Sequence, residues 1–389
     1  MRWIEKELER IKSKGLLRSL KLIEGRDDRN IKISGKRLVN FCSNDYLGLA
    51  KDRRVVCAGQ EALEKWGAGV SASRLVSGNF SLHFELEERL AKFKKTQASL
   101  IFPSGYLANI GVIPALVGKD DLIFSDELNH ASLIDACRLS RAKTIVFPHS
   151  DINALEKLLK KSKRAQKKLI VIEGIYSMDG DIAPVPEILE LAERFGAMVY
   201  MDEAHSTGVL GKTGQGVMEH FGISTKDKPL VLMGTLSKAL GSQGGFICCS
   251  KKMRDYLINT SRSFIFSTGL NPASIGSALK ALEIIEKEPE RISRLKRNIK
   301  LARQGIEKIN IKLGNDQTPI IPIILVDPLK TVRASKKLFK QGIFVQAIRP
   351  PSVPQNSSRL RITIISAHTQ SQISLLTKRL INIIIDESC

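Results

Sequence analysis

The segment Val231-Leu-Met-Gly-Thr-Leu-Ser-Lys-Ala-Leu-Gly241 ends an apolar run in a lysine held at a small, glycine-flanked turn. An amine placed there, beside the hydroxyls of Thr235 and Ser237, suits Schiff-base chemistry with an aldehyde cofactor. Upstream, Met198-Val-Tyr-Met-Asp-Glu-Ala-His205 is a second apolar run, ending in a carboxylate and an imidazole. Asp202 followed by Lys238, each closing its own strand, is the pair that pyridoxal phosphate requires. The acid keeps the pyridine nitrogen protonated and the amine holds the aldehyde. Either motif alone is weak; their order and spacing together are specific.

Three further segments can complete such a site. Ser104-Gly-Tyr-Leu-Ala-Asn109 follows a strand and opens an apolar helix, which sets the backbone amides of Gly105 and Tyr106 at a helix N-terminus suited to phosphate. An ordinary strand–helix turn explains that segment equally well on its own. Thr235 and Ser237 would add hydroxyl donors to the same phosphate. His130, in Leu128-Asn-His-Ala-Ser-Leu133, follows a strand end, where an imidazole can lie flat on a pyridine ring opposite Asp202. His205 is placed to reach the cofactor's phenolic oxygen. His83, His149, His220 and His368 have no such context and receive no role.

The elements that must position these groups are legible in the apolar pattern. Between residues 98 and 250 candidate strands fall at Ala98–Phe102, Asp121–Ser125, Lys143–Phe147, Leu169–Glu173, Ala197–Asp202, Leu230–Gly234 and Gly245–Ser250, separated by helical stretches. Such alternation predicts an α/β fold: a mostly parallel sheet covered by helices on both faces, with the site at the carboxyl ends of the strands. Helical periodicity also marks 52–66 and 81–95. Before these come an N-terminal helical arm and a strand pair around Ile31–Phe41, giving a first segment of 1–45 and a large domain of 46–270. The remainder, 271–389, reads as a smaller α/β domain: a helical region over 272–312, containing Glu283-Ile-Ile-Glu-Lys-Glu-Pro-Glu290 and a basic helix after it, strands at Ile320–Val326, Ile343–Ala347 and Leu360–Ile365, and helices near 331–341 and 370–386.

The net charge of +21 raises the question of nucleic acid. The most basic run, Lys157–Lys168, is amphipathic through Ile152, Leu155, Leu158 and Leu159, so its lysines fit the solvated side of a helix. Aromatics make up only 5% of the chain and none is interleaved as a stacking platform. A nucleic-acid-binding protein is therefore the weaker reading, and the charge instead suits an anionic substrate or an acidic carrier protein. The six cysteines form no CxxC pair or Cys/His cluster, so no metal site is expected, and reduced thiols in a cytoplasmic protein are. No charge-free apolar stretch is long enough for a membrane span, and the N-terminus lacks a signal-peptide core.

With these residues assembled, the chain resembles the α-oxoamine synthases, fold-type I pyridoxal-phosphate-dependent transferases, from about residue 16 onward. Ser43-Asn-Asp-Tyr-Leu-Gly-Leu49, Ser73-Arg-Leu-Val-Ser-Gly78, Asp202-Glu-Ala-His205 and Gly234-Thr-Leu-Ser-Lys-Ala-Leu-Gly241 carry the resemblance. Phe264-Ile-Phe-Ser-Thr-Gly269 and Ala347-Ile-Arg-Pro-Pro-Ser-Val-Pro354, leading to Ser358-Arg-Leu-Arg-Ile-Thr363, point to the members that condense L-alanine with a pimeloyl thioester of coenzyme A or acyl carrier protein. Siblings join glycine to acetyl-CoA or succinyl-CoA, or serine to palmitoyl-CoA, with the same cofactor residues. The resemblance implies that Lys238 binds the cofactor and moves protons, that Asp202 pairs with the pyridine nitrogen, and that His130 stacks on the ring. It implies that His205 and Ser177 contact the cofactor, and that Gly105, Tyr106 and Thr235 hold its phosphate. Ser267 would reach the phosphate of the second subunit of a homodimer. Arg18 and Ser352 match substrate-contacting positions, and Arg361 matches the arginine that grips the amino-acid carboxylate. One departure lies in Gly67-Ala-Gly-Val-Ser-Ala-Ser73, where Ser71 and Ala72 stand in a stretch that is often richer in glycine.

Overall fold

The computed structural model describes residues 2–162, 165–308, 311, 313–314 and 318–388. Lys163 and Arg164 of the basic run, residues 309, 310 and 312 of the expected helical region, and Cys389 lie outside the described residues. The chain divides into two units: Leu49–Ser177 with Asp181–Ile292, and Met1–Gly48 with Met178–Gly180 and Ser293–Cys389. The boundary falls at Ile292/Ser293, where the sequence reading set it at 270/271. The helix Pro272–Lys287 therefore belongs to the larger unit, with its apolar residues Ile275, Ala278, Leu282 and Ile285 buried.

The larger unit is organised by a seven-stranded sheet in the order Ala98–Phe102, Gly245–Cys249, Leu230–Thr235, Met198–Asp202, Lys168–Glu173, Leu122–Asp126, Lys143–Phe147. Gly245–Cys249 runs antiparallel to both neighbours; the other pairings are parallel. Leu169-Ile-Val-Ile172 and Val199-Tyr-Met201 are at most 1% exposed, as expected of strands covered by helices on both faces. One such layer joins Phe102, Val112, Ile113, Leu133 and Cys137 to Val171, Tyr200 and Met233. Burying each large apolar side chain there contributes about 1.5–3 kcal/mol. Seven strands were expected and seven are observed, with ends within a residue of those read from sequence.

Helix starts are set by short polar side chains. Ser104 accepts from Leu107 N at 3.1 Å, Asp151 from Ala154 N at 2.9 Å and Asn271 from Ser274 N at 2.9 Å. The helix Ile152–Lys161 buries Leu155 and Leu159 and exposes Lys157, Lys160 and Lys161. That is the solvated face expected of this part of the basic run.

The smaller unit holds two sheets. One has the order Gly25–Arg26, Asn30–Ile33, Lys36–Asn40, Ile343–Phe344, and the other Ile320–Val326, Ser358–Thr363, Gln346–Ile348. The single strand expected over Ile343–Ala347 is thus split at Val345. Its first half pairs parallel with Lys36–Asn40 and its second half antiparallel with Ser358–Thr363. The helical region 272–312 consists of Pro272–Lys287 and, as read from the sequence, a basic helix after it, Glu290–Glu307. Pro289 forces the break: it has no N–H, and it drives the preceding Glu288 to φ −122°, ψ 65°, outside the helical region. Among the described residues no helix is long and apolar enough to cross a membrane.

Candidate active site

The strand Leu230–Thr235 delivers the lysine. Gly234 sits where a Cβ would meet the Phe246 ring at 2.2 Å, and the left-handed Gly241 (φ 60°) packs where a Cβ would lie 2.5 Å from Ala50 N. These close approaches permit a tight turn after Thr235, closed by Leu236 N donating to Gly244 O and Ser242 N to Leu236 O, both at 2.9 Å. Lys238 leaves this turn and brings its Nζ to 2.9 Å from His205 Nε2. His205 is itself buried, one turn past the end of the neighbouring strand Met198–Asp202.

Asp202 and Glu203 part company at that strand end, as successive strand residues must. Glu203 pairs with the buried Lys94 and accepts from Val217 N at 2.7 Å. Asp202 accepts from Ala204 N at 2.8 Å through Oδ1 and from Asn109 Nδ2 at 3.0 Å through Oδ2. Asn109 is fixed in turn, because Tyr200 OH donates to its Oδ1 at 2.7 Å and its Nδ2 also reaches Ser132 Oγ at 2.8 Å. Ser132 Oγ lies 2.8 Å from His130 Nδ1, and that nitrogen accepts from Ser132 N at 3.2 Å as the cap of the helix Ala131–Ser140. A continuous network thus runs from the carboxylate to the ring of His130. With Nδ1 accepting, the neutral imidazole carries its proton on Nε2. The surrounding protein lowers the pKa of His130 and Lys238 lowers it further, against the opposing pull of Asp202.

The phosphate side is equally local. The helix Gly105–Leu116 starts beside the lysine turn, with a Cβ built on Gly105 only 3.7 Å from Thr235 Cβ. Thr235 Oγ1 lies 2.7 Å from Ser237 Oγ, which groups two hydroxyls near the amides of that helix start. The Tyr106 side chain is turned out to Asp135, leaving its backbone for this role. Amides and hydroxyls for a phosphate, an amine for an aldehyde and a buried carboxylate for a pyridine nitrogen form a donor set that fits pyridoxal phosphate.

Ser177 is buried, and its N–H donates to Glu173 Oε2 at 3.1 Å. Its loop is closed by the Ile175–Ile182 bridge and held by His149, which lies 3.0 Å from Asp126 Oδ1 and 2.7 Å from Asp181 Oδ2. Asn109, Glu173 and His149 are the residues that sequence reasoning missed. Asn109 and Glu173 lie inside segments singled out for other members, whereas nothing in the sequence around His149 announces its two partners.

Ser267 lies half-buried after the short helix Arg262–Ile265, next to Thr268, which bridges to Ser73. The other three expected residues lie in the smaller unit. Arg361 is buried and reaches Asn44 Oδ1 at 3.2 Å and Thr363 Oγ1 at 2.9 Å. Arg18 donates to Pro350 O at 3.0 Å, and a cavity of about 290 Å³ is lined by Arg18, Gln346, Arg349 and Ser352.

The sheet therefore carries Lys238, Asp202 and the start of the helix Gly105–Leu116 together at its carboxyl edge. The chain belongs to the aminotransferase class I and II family, whose model covers residues 36–380. Its curated relatives include the 8-amino-7-oxononanoate synthase of Thermosipho melanesiensis, 45% identical over 96% of this chain and 95% of the relative. Another is the 8-amino-7-oxononanoate synthase 2 of Bacillus subtilis, 46% identical over the same shares. A solved structure of S. paucimobilis serine palmitoyltransferase holding a PLP–myriocin adduct superposes with a TM-score of 0.93 at 30% identity, covering 99% of this chain and 98% of that one. An 8-amino-7-oxononanoate synthase from Francisella tularensis gives 0.79 at 29%, covering 90% and 99%. Pyridoxal phosphate is accordingly the cofactor, and the protein is a fold-type I transferase.

Proposed function

We propose that the protein condenses L-alanine with a pimeloyl thioester, releasing carbon dioxide and the free thiol and forming 8-amino-7-oxononanoate for biotin biosynthesis. The observation that carries this reading is the likeness, over nearly the whole chain, to enzymes named for that product. Pyridoxal phosphate, when bound, supplies the electron sink for the alanine α-carbon.

The chain's own residues do the rest. Lys238 Nζ takes the α-proton, which requires the neutral amine, and His205 holds Nζ in place by the 2.9 Å contact. Asp202 would keep a proton on the ring nitrogen, while His130 would face the ring and orient the carboxylate that leaves. The amides of Gly105 and Tyr106, with Thr235, would bind the phosphate; His205 would contact the phenolic oxygen and Ser177 the cofactor. Arg361 takes the amino-acid carboxylate, and Arg18 and Ser352 contact substrate. The α-carbon forms a bond to the acyl carbon as the carbon–sulfur bond breaks and the thiolate departs. The carboxylate bond then breaks, and Lys238 returns a proton to the α-carbon.

The active form is a homodimer in which Ser267 reaches the phosphate bound by the second copy. A cytoplasmic location fits the cysteines, since Cys42, Cys57, Cys137, Cys248 and Cys249 are all free.

The superposition on serine palmitoyltransferase favours one rival, a serine-using sibling. At 30% identity it is more distant in sequence than the 8-amino-7-oxononanoate synthases of Thermosipho melanesiensis and Bacillus subtilis at 45% and 46%, and it reflects the shared framework. Thiol release by cofactor-loaded protein decides between them. L-alanine, L-serine and glycine are each offered with pimeloyl-CoA, pimeloyl-acyl carrier protein and palmitoyl-CoA. Release confined to L-alanine with a pimeloyl donor is expected; release only with serine and palmitoyl-CoA would overturn the reading.

A further inference from the structure

Glu173 is a buried acid at the site edge to which the reaction above gives no task. It ends the strand Lys168–Glu173, and its register partner on the neighbouring parallel strand is Asp202. Residues in register on adjacent strands point to the same face of a sheet, with side chains about 5 Å apart. Two carboxyl groups therefore emerge side by side, 2% and 5% exposed. Carboxyls so placed, out of water, do not both ionise: one keeps a proton.

Their hydrogen bonds decide which. Asp202 has a donor on each oxygen, Ala204 N on Oδ1 and Asn109 Nδ2 on Oδ2. Glu173 has Ser177 N on Oε2, while Oε1 is buried and finds no hydrogen-bond partner among the described residues. Among the described residues, the charged and titratable groups that face Glu173 include Asp202 on the next strand, Lys238 on the turn beyond, Tyr176 on its own loop, and His130, whose backbone N–H is directed at the carboxyl. Burial, followed by the Asp202 charge, pushes the Glu173 pKa well above the usual carboxylate range. Lys238 and the backbone N–H groups of His130 and Ser177 oppose this without reversing it.

We propose that Glu173 is a positioning residue that works as a neutral carboxylic acid, anchoring Ser177 through Oε2 and leaving Asp202 as the ionised member of the pair. The inference rests on the cofactor reading of this site. Its value to the reaction is electrostatic. A second anion here would favour the ammonium form of Lys238 and hold back the neutral amine that takes the α-proton. A proton on Glu173 removes that second anion while keeping the bond that orders the Ser177 loop.

Glu173→Gln, the uncharged isostere, and Glu173→Ala test this by three readouts. Infrared difference spectra of cofactor-free wild type against Glu173→Gln at pH 7 should contain the carbonyl band of a protonated carboxyl. In the loaded proteins, the midpoint of the pH-dependent absorbance change of bound pyridoxal phosphate should move by less than about half a unit in Glu173→Gln. Cofactor affinity should fall about tenfold in Glu173→Ala, with the Ser177 anchor lost, and be restored to within about threefold of wild type by glutamine.

Absence of the carbonyl band overturns the proposal. So does a midpoint that drops by about one unit or more in Glu173→Gln, since removing a true anion destabilises the protonated form nearby. Cofactor binding as weak in Glu173→Gln as in Glu173→Ala overturns it too. Wild-type protein that takes up no pyridoxal phosphate would instead sink the cofactor reading, and the infrared band would still decide the state of Glu173.

Discussion

Asn109 Nδ2 lies 3.0 Å from Asp202 Oδ2 and 2.8 Å from Ser132 Oγ, so one buried amide joins the carboxylate to the cap of the helix that His130 begins. Removing it in Asn109→Ala leaves Tyr200 OH without its acceptor and Asp202 with one donor fewer. Leaving buried polar groups unsatisfied costs about 1–3 kcal/mol each. We expect unfolding stability to fall by about 2–3 kcal/mol and the cofactor dissociation constant to rise about tenfold. Denaturant titration and absorbance of bound cofactor measure the two effects, and wild-type values in both would remove Asn109 from the network.

Lys238→Ala separates holding the cofactor from bonding to it. Asp202, His130 and the amides of Gly105 and Tyr106 remain, so pyridoxal phosphate is expected to bind without covalent attachment. Borohydride then fails to fix it to the protein, and turnover falls by about a thousandfold or more with the proton-moving amine gone. Mass spectrometry of the reduced protein reads the attachment. Normal turnover in this variant would contradict the assignment of Lys238.

His149 sets a pH dependence of stability. Burial disfavours its charged form, but the hydrogen bonds and charges of Asp126 and Asp181 outweigh this and raise its pKa to about 10. In the unfolded chain a histidine titrates near about 6.5. The folded value is the higher one, so the stabilisation is fully present below about pH 6.5 and is lost as pH rises through about 10. His149→Gln is expected to cost about 2 kcal/mol at pH 6.5, with the gap to wild type shrinking toward pH 10. Urea unfolding of both proteins across that range measures it; a gap that stays flat or widens with pH would refute the ion-paired state.

What the sequence made legible follows from how local each signal is. Strands buried on both faces announce themselves as apolar runs, so all seven strands of the large sheet could be read, along with the motifs at their carboxyl ends. Ile343–Ala347 reads as one strand because pairing partners are a tertiary choice: nothing within Ile343-Phe-Val-Gln-Ala347 says that Val345 is where the chain changes sheets. Pro289 signals its break within the sequence itself, and the basic helix read after it is observed at Glu290–Glu307. At the site, residues with intrinsic chemistry were found, whereas those acting through a neighbour were not. Asn109 matters only because Tyr200, Ser132 and Asp202 converge on it, and Glu173 only because the register sets it against Asp202.

The glycine-poor stretch before Ser73 leads to the last prediction. Ser71 takes φ +53°, a left-handed conformation that side chains with a Cβ adopt at a cost. It is exposed, so no buried contact offsets that strain. Two residues later Ser73 bridges to Thr268, and a Cβ on Gly78 would meet Ala72 O at 2.3 Å, so the backbone here is tightly constrained and cannot relax away. Ser71→Gly relieves about 1–2 kcal/mol of steric strain. The greater freedom of glycine in the unfolded chain returns about 0.4–1 kcal/mol of that. The net expectation is a gain of about 0.5–1 kcal/mol, read by denaturant unfolding, with Ser71→Ala as the control that keeps the Cβ and gains nothing. Equal stability of the glycine and alanine variants would show that the left-handed backbone at residue 71 carries no strain.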